Sequence, residues 1–211
     1  MGERSQIYIR ITDNYNKKPK LYAKYFGWNF GERMISRARY GIEYINRQNP
    51  DHYSIDSVQE KINKIFDVNF DMKDVAISSD ILKEYIEEEW YKDYGINEFI
   101  FNMQDNNDGK LFIDINENDK VKYCFTDYNL KIFSPIQYMN WNKEDWRKHS
   151  EYFSTEDIET CKKNIEYIKK NAQLMTKEEL QEFITFDYSE QINNLKSLLQ
   201  QNEKDREICD D

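Results

Sequence analysis

The chain has 211 residues and a formal net charge of −10, with 39% hydrophobic and 15% aromatic residues, among them 16 Tyr and 12 Phe. A chain of this length can bury a sizeable core, and its aromatic content argues against disorder despite 33% charged residues, so large rings with polar tips must furnish much of the interior. No apolar run approaches the roughly 20 residues of a membrane span, and the opening MGERSQIYIR lacks an apolar signal segment, so a cytoplasmic protein is expected.

Cys124, Cys161 and Cys209 are far apart and odd in number, which argues against a disulfide framework or a zinc site and predicts two buried thiols and one in the tail. The net charge hides an asymmetry. Residues 1–50 hold ten Lys/Arg against four Asp/Glu, which leaves the remaining 161 residues at −16. Such a chain can pair its own halves, present an acidic face to a basic partner, or offer a small basic patch to a phosphate backbone.

In chain order, Ser5 to Thr12 and Lys20 to Gly27 alternate as two strands around the turn-forming DNYNKKP, predicting an N-terminal β-hairpin. Asn29 and Glu32 have capping-box spacing, and Met34, Ile35, Ala38, Ile42 and Ile45 then recur on one face of a helix that ends near Asn46. Its other face carries Arg33, Arg37 and Arg39. Asp56 with Gln59 opens a second helix with Val58, Ile62, Ile65 and Phe66 inward. Ser79 is the expected cap of a third, in which Ile81, Leu82, Tyr85, Ile86 and Trp90 face the core, Glu84, Glu87, Glu88 and Glu89 form an acidic band, and Gly95 is the stop.

From Glu98 to Thr126 the period turns strand-like, as EFIFNM, KLFIDI and KVKYCFT, predicting a central antiparallel meander with a turn at Asp108-Gly109. Leu130 to Phe133 adds a short strand, and Pro135 opens a short helix. The segment WNKEDW then places Trp141 and Trp146 on the surface near His149. Ser154 with Asp157 and Thr176 with Glu179 cap two further helices, which Ile192, Leu195, Leu198 and Leu199 continue toward an acidic tail. The fold class is α+β: hairpin and meander packed with several amphipathic helices in a core domain of residues 1–150, followed by a C-terminal helical hairpin, residues 151–211, packed on the core or offered to a partner.

No catalytic signature is present. QDNNDG imitates a calcium loop, but aligning Gly109 to its obligatory glycine puts Gln104 at the first ligand position and Ile115 at the last, so a plain turn is expected. His52 and His149 are the only histidines and no Cys lies near either, so neither metal nor cofactor is expected. The primary reading is a non-enzymatic acidic binding protein, with Glu84, Glu87, Glu88, Glu89, Trp141 and Trp146 meeting a basic protein surface. One alternative is a small hydrolase or transferase with a pocket near His149. Another is a nucleic-acid module in which Arg33, Arg37 and Arg39 bind phosphate beside Tyr22, Tyr25, Trp28 and Tyr40.

The stretches SQIYIR and YFGWNFGERMISRARYGIEYI resemble the opening of small uncharacterised proteins encoded by phages and mobile elements of low-GC Gram-positive bacteria. The resemblance covers the first quarter of the chain and implies a counter-defence role, such as an anti-CRISPR-like inhibitor acting on a nucleic-acid-handling complex. It carries over no catalytic residue.

Overall fold

The computed structural model describes residues 4–12, 18–46, 78–88, 93–103, 107–116 and 120–209, with side chains to residue 204. The expected second helix around Ile62, as well as Glu89, Trp90, Gln104 and His52, lies outside them. The strands are β1 (Arg4–Thr12), β2 (Pro19–Gly27), β3 (Ser78–Asp80), β4 (Lys110–Asn116), β5 (Lys122–Thr126), β6 (Ile132–Phe133) and β7 (Gln173–Leu174). The helices are α1 (Glu32–Asn46), α2 (Ile81–Glu87), α3 (a turn Ile96–Glu98 running into a π-helical turn Phe99–Met103), α4 (Pro135–Asn142), α5 (Thr155–Asn171), α6 (Lys177–Thr185) and α7 (Ser189–Cys209).

The α+β class is as expected. One mixed sheet runs in the order β3-β2-β1-β4-β5-β6, with β7 beside β5. β1 and β2 form the hairpin, in register from Arg4 opposite Gly27 to Thr12 opposite Pro19. β4, β5 and β6 form an antiparallel meander. The relationship that joins them is parallel: β1 pairs with β4 from Gln6 beside Lys110 to Thr12 beside Asn116.

β1 is therefore central, and every residue from Ser5 to Ile11 is buried. Its two faces enter different cores. Ile7, Ile9 and Ile11 join Phe26, Leu111, Ile113 and Phe125 under α1, α4 and α5. Tyr8 joins Leu21, Phe99, Phe101, Phe112, Phe183 and Tyr188 under α2, α3, α6 and α7. The alternation of Ile with Tyr8 and Arg10 thus separates two buried faces, and the polar tips find partners inside. The Tyr8 ring stacks on Phe112 at 4.9 Å and its hydroxyl donates to the Ile100 carbonyl at 2.6 Å. The helices after residue 150 divide between the faces, α5 against α1 and α6 and α7 on the opposite side, with β7 crossing the sheet end between them.

The local signals at helix starts hold at Ser154 and Thr176, and Ser134 caps α4 in the same way. Ser134, Ser154 and Thr176 each accept from the backbone three residues on, and Gln137, Asp157 and Glu179 reciprocate in capping boxes. Three others are corrected. Asn29 does not cap α1; it turns inward and donates to Ser5 Oγ at 2.9 Å and Met34 Sδ at 3.4 Å. Asp80, not Ser79, caps α2, because Ser79 is held in β3 opposite Tyr25 while Asp80 Oδ1 accepts from Leu82 and Lys83. Gly95 precedes α3 as its cap residue and does not terminate α2, which ends at Glu87.

EFIFNM is helical rather than a strand. Phe99, Ile100 and Phe101 are all buried in succession, so no solvent face selects a period of two. The wide turn is held by side chains of the sheet: Tyr8 takes the Ile100 carbonyl and the Lys110 ammonium takes that of Phe101. Asp108-Gly109 accordingly joins α3 to β4, with Gly109 at φ +90°. Cys124 and Cys161 are buried free thiols, and burial pushes the Cys161 thiol up to about 12.

Candidate binding surfaces

The two faces of the sheet differ in charge. The helices of the α2, α3, α6 and α7 face and their flanks carry Glu84, Glu87, Glu88, Asp93, Glu98, Glu178, Glu179, Glu182, Asp187, Glu190 and Glu203 against Lys83, Lys177, Lys196 and Lys204, with Glu179, Glu190 and Glu182 reached by Lys122 at 3.0 Å, Lys18 at 2.7 Å and Arg10 at 3.6 Å. On the opposite face α1 and α5 mix both signs closely, with ion pairs Arg39–Glu43 at 2.9 Å, Lys162–Glu159 at 2.8 Å and Lys169–Glu166 at 3.3 Å. Within the acidic band Glu87 and Glu88 are exposed, Glu84 is half-buried, and Lys83 reaches Glu87 at 3.5 Å. Such exposed pairs are worth little and leave the field of the excess acids largely intact.

The two tryptophans of WNKEDW part company. Trp141, at the end of α4, stacks on Phe133 at 5.5 Å and keeps 37% of its surface exposed. Trp146 is only 4% exposed, a correction to its expected place as a surface anchor. After α4 the chain turns back through Asp145 at φ +58°, which carries the indole into the core beside Phe153, where its N–H donates to Asn140 Oδ1 at 2.9 Å. Trp28 is instead the most exposed tryptophan among the described residues, 55% accessible, on a left-handed backbone at φ +58°.

Nor do the three arginines of α1 form one patch. Arg37 is buried with its guanidinium 4.4 Å from the Phe26 ring centre, so it belongs to the core and not to a solvated face. Arg33 donates to the Trp28 carbonyl at 2.9 Å, which ties down the turn before the helix. Arg39 pairs with Glu43 and lies 5.1 Å over Tyr167 of α5. His149 is exposed in the turn before α5. Among the described residues no cluster of His, Cys, Asp and Glu is placed to hold a metal ion, and Asp108 spends its carboxylate on the Arg4 backbone N–H at 2.7 Å and Asn142 Nδ2 at 3.2 Å. No helix among them is long and apolar enough to cross a membrane.

Two features have no counterpart in the sequence patterns. Lys110 is fully buried, its ammonium spent on the Phe101 carbonyl; burial lowers its titration to about 8, against the opposing pull of Asp127 and Glu98. A cavity of about 770 Å³ also runs along the outer edge of β2, between that strand and α7, with Leu21, Leu82, Leu195 and Leu198 in its wall and Lys18, Lys20 and Lys24 balanced by Asp80, Asp187 and Glu190 around it. In its floor the Gln191 side-chain amide accepts from the Leu21 N–H at 2.8 Å and donates to the Leu21 carbonyl at 2.7 Å. Only the proximity of Gln191 to the apolar stripe of α7 hinted that it would face the sheet. Comparison of the chain with protein-family models, curated proteins and solved structures finds no match to any of them.

Proposed function

We propose that this is a non-enzymatic, cytoplasmic binding protein whose acidic face docks on a basic protein surface of a nucleic-acid-handling complex. The observation that carries the reading is the collection of excess acids on the α2, α3, α6 and α7 side of the sheet. Charge gathered on one face steers encounter and selects a basic partner, whereas the same charge spread evenly would only aid solubility. The N-terminal resemblance to phage and mobile-element proteins supports the finer reading, an inhibitor of the anti-CRISPR-like kind. The dispersal of Arg33, Arg37 and Arg39 favours a protein partner over a phosphate backbone.

The test is capture from a host lysate at low and high salt with the natural chain and with Glu84, Glu87 and Glu88 changed together to Gln. The expected result is a partner retained at low salt, released by high salt, and recruited more slowly by the Gln variant at unchanged melting temperature. Capture by the natural chain and by the variant with equal association rates at low salt refutes docking through the α2 band.

A further inference from the structure

The outer edge of β2 is used unevenly. Lys24 to Phe26 pair with β3, whereas among the described residues no strand pairs with Pro19 to Ala23. Backbone groups that point out of a strand edge fall on alternate residues, here Pro19, Leu21 and Ala23. Pro19 has no N–H to offer, and Leu21 has both of its groups taken by the Gln191 amide. A carboxamide that gives one donor and one acceptor to a single strand residue copies the backbone groups that a paired strand presents there.

Charge does not close this edge. Lysines on an open strand ordinarily keep another strand away. Here Lys18 is paired with Glu190 at 2.7 Å and Lys24 with Asp80 at 3.3 Å, and Asp187 joins them around the cavity. A rim that carries both signs in balance is complementary to itself. In antiparallel pairing about a two-fold axis at Leu21, the two Leu21 residues bond each other and Ala23 lies opposite Pro19 of the copy. Lys20 then lies opposite Tyr22 of the copy, a ring type it already approaches within its own chain at 5.5 Å. At either end Lys18 and Glu190 of one copy meet Lys24 and Asp80 of the other, so each ammonium gains a second carboxylate.

We propose that the Pro19–Ala23 edge is a self-complementary pairing site for a second copy of this chain, and that the Gln191 amide occupies it and keeps the chain monomeric. When Gln191 swings aside, its bonds to Leu21 are exchanged for those of the incoming strand, and the cavity of about 770 Å³ provides the room. This site does not depend on the acidic face as a docking surface.

The test is sedimentation velocity over a wide range of protein concentration, with hydrogen exchange read at the Leu21 amide. The natural chain should sediment as a monomer with that amide protected. Gln191→Ala should dimerise at least about tenfold more tightly, its Leu21 amide exchanging freely when dilute and becoming protected as the dimer forms. Lys18→Glu added to Gln191→Ala leaves three carboxylates facing one ammonium at each end, and should weaken the dimer by about tenfold at low salt and by less at high salt. A Gln191→Ala chain that stays monomeric, a natural chain that dimerises as tightly, or association that neither protects Leu21 nor responds to Lys18→Glu would overturn the proposal. So would a Gln191→Ala chain that is unfolded at the assay temperature, because the amide would then hold α7 in place rather than cover an otherwise intact edge.

Discussion

Arg10 of β1 and Asp114 of β4 stand side by side in the parallel register and are joined by two hydrogen bonds, Nε to Oδ1 at 2.9 Å and Nη2 to Oδ2 at 2.7 Å. Their side chains are 7% and 14% exposed, and the Arg10 guanidinium also lies 4.7 Å from the centre of the Phe183 ring. The pair thus pins the one parallel step between hairpin and meander. Removing one partner of such a buried pair leaves an uncompensated charge, which is more costly than replacing both. Asp114→Asn should lose about 3 kcal/mol in urea unfolding. The double variant Arg10→Met, Asp114→Leu should recover most of it, and equal losses in the two proteins would show that the pair is not electrostatically coupled.

Lys110 makes stability depend on pH in a definite direction. Its ordinary value is 10.5 and burial lowers it to about 8, so between these values the unfolded chain holds a proton that the folded chain has released. Stability from this group therefore rises as pH rises through that window. The stability of the natural protein relative to Lys110→Met should climb from pH 8 to 10.5, by a few kcal/mol at most. Tyr8 and Tyr138, whose hydroxyls burial pushes up, act oppositely above their ordinary value of 10.0, but they are common to both proteins and cancel in the difference. A flat difference across the window would place the Lys110 amine in water.

Two glycines should respond oppositely to alanine. At Gly109, φ is +90° and a Cβ would fall 2.3 Å from the Thr126 carbonyl oxygen, so Gly109→Ala forces β4 and β5 apart at their ends. A loss of about 2 kcal/mol or more is expected. At Gly27 a Cβ would meet nothing within 4 Å, and Gly27→Ala should be neutral or gain about 0.5 kcal/mol by restricting the unfolded chain. Thermal melts of the two variants decide it, and a Gly109→Ala protein as stable as Gly27→Ala would refute the close approach.

Trp28 is strained and exposed together, with φ +58° and 55% of its surface accessible. Asn tolerates the left-handed region better than Trp does. Trp28→Asn should therefore raise stability by about 0.5 to 1 kcal/mol. A loss of that size instead would mean that the indole contributes more through its contacts than the backbone gives up.

What could be read from the sequence was whatever is settled within a few residues. The capping boxes at Ser154 and Thr176 and the buried stripe of α1 depend on neighbours three or four positions away, and the chain folds them as the spacing predicts. The π-helical turn at Phe99–Met103 escaped because its carbonyl partners, Tyr8 and Lys110, come from strands that no local pattern brings near. Trp146 and Arg37 were misplaced for the same reason: an amphipathic side chain goes wherever its apolar body finds cover, and that cover, Phe153 and Phe26, comes from elsewhere in the chain. The Gln191 contact spans 170 residues. The acidic band was visible in composition, but its confinement to one side of the sheet required knowing which helices share a face.

The parallel pairing of β1 with β4 has a consequence for the order of events at the ribosome. β1 can close its hairpin with β2 almost at once, but its other side must wait for a strand about 104 residues further along. At ribosomal rates of about 5–20 residues per second, that edge stays uncovered for on the order of 5–20 seconds. Gln6 and Arg10, spaced along β1, put an amide and a charge on the waiting segment where apolar residues would invite pairing with another nascent chain. The guanidinium that later clasps Asp114 thus puts a charge on this edge while it is uncovered, which disfavours apolar pairing there.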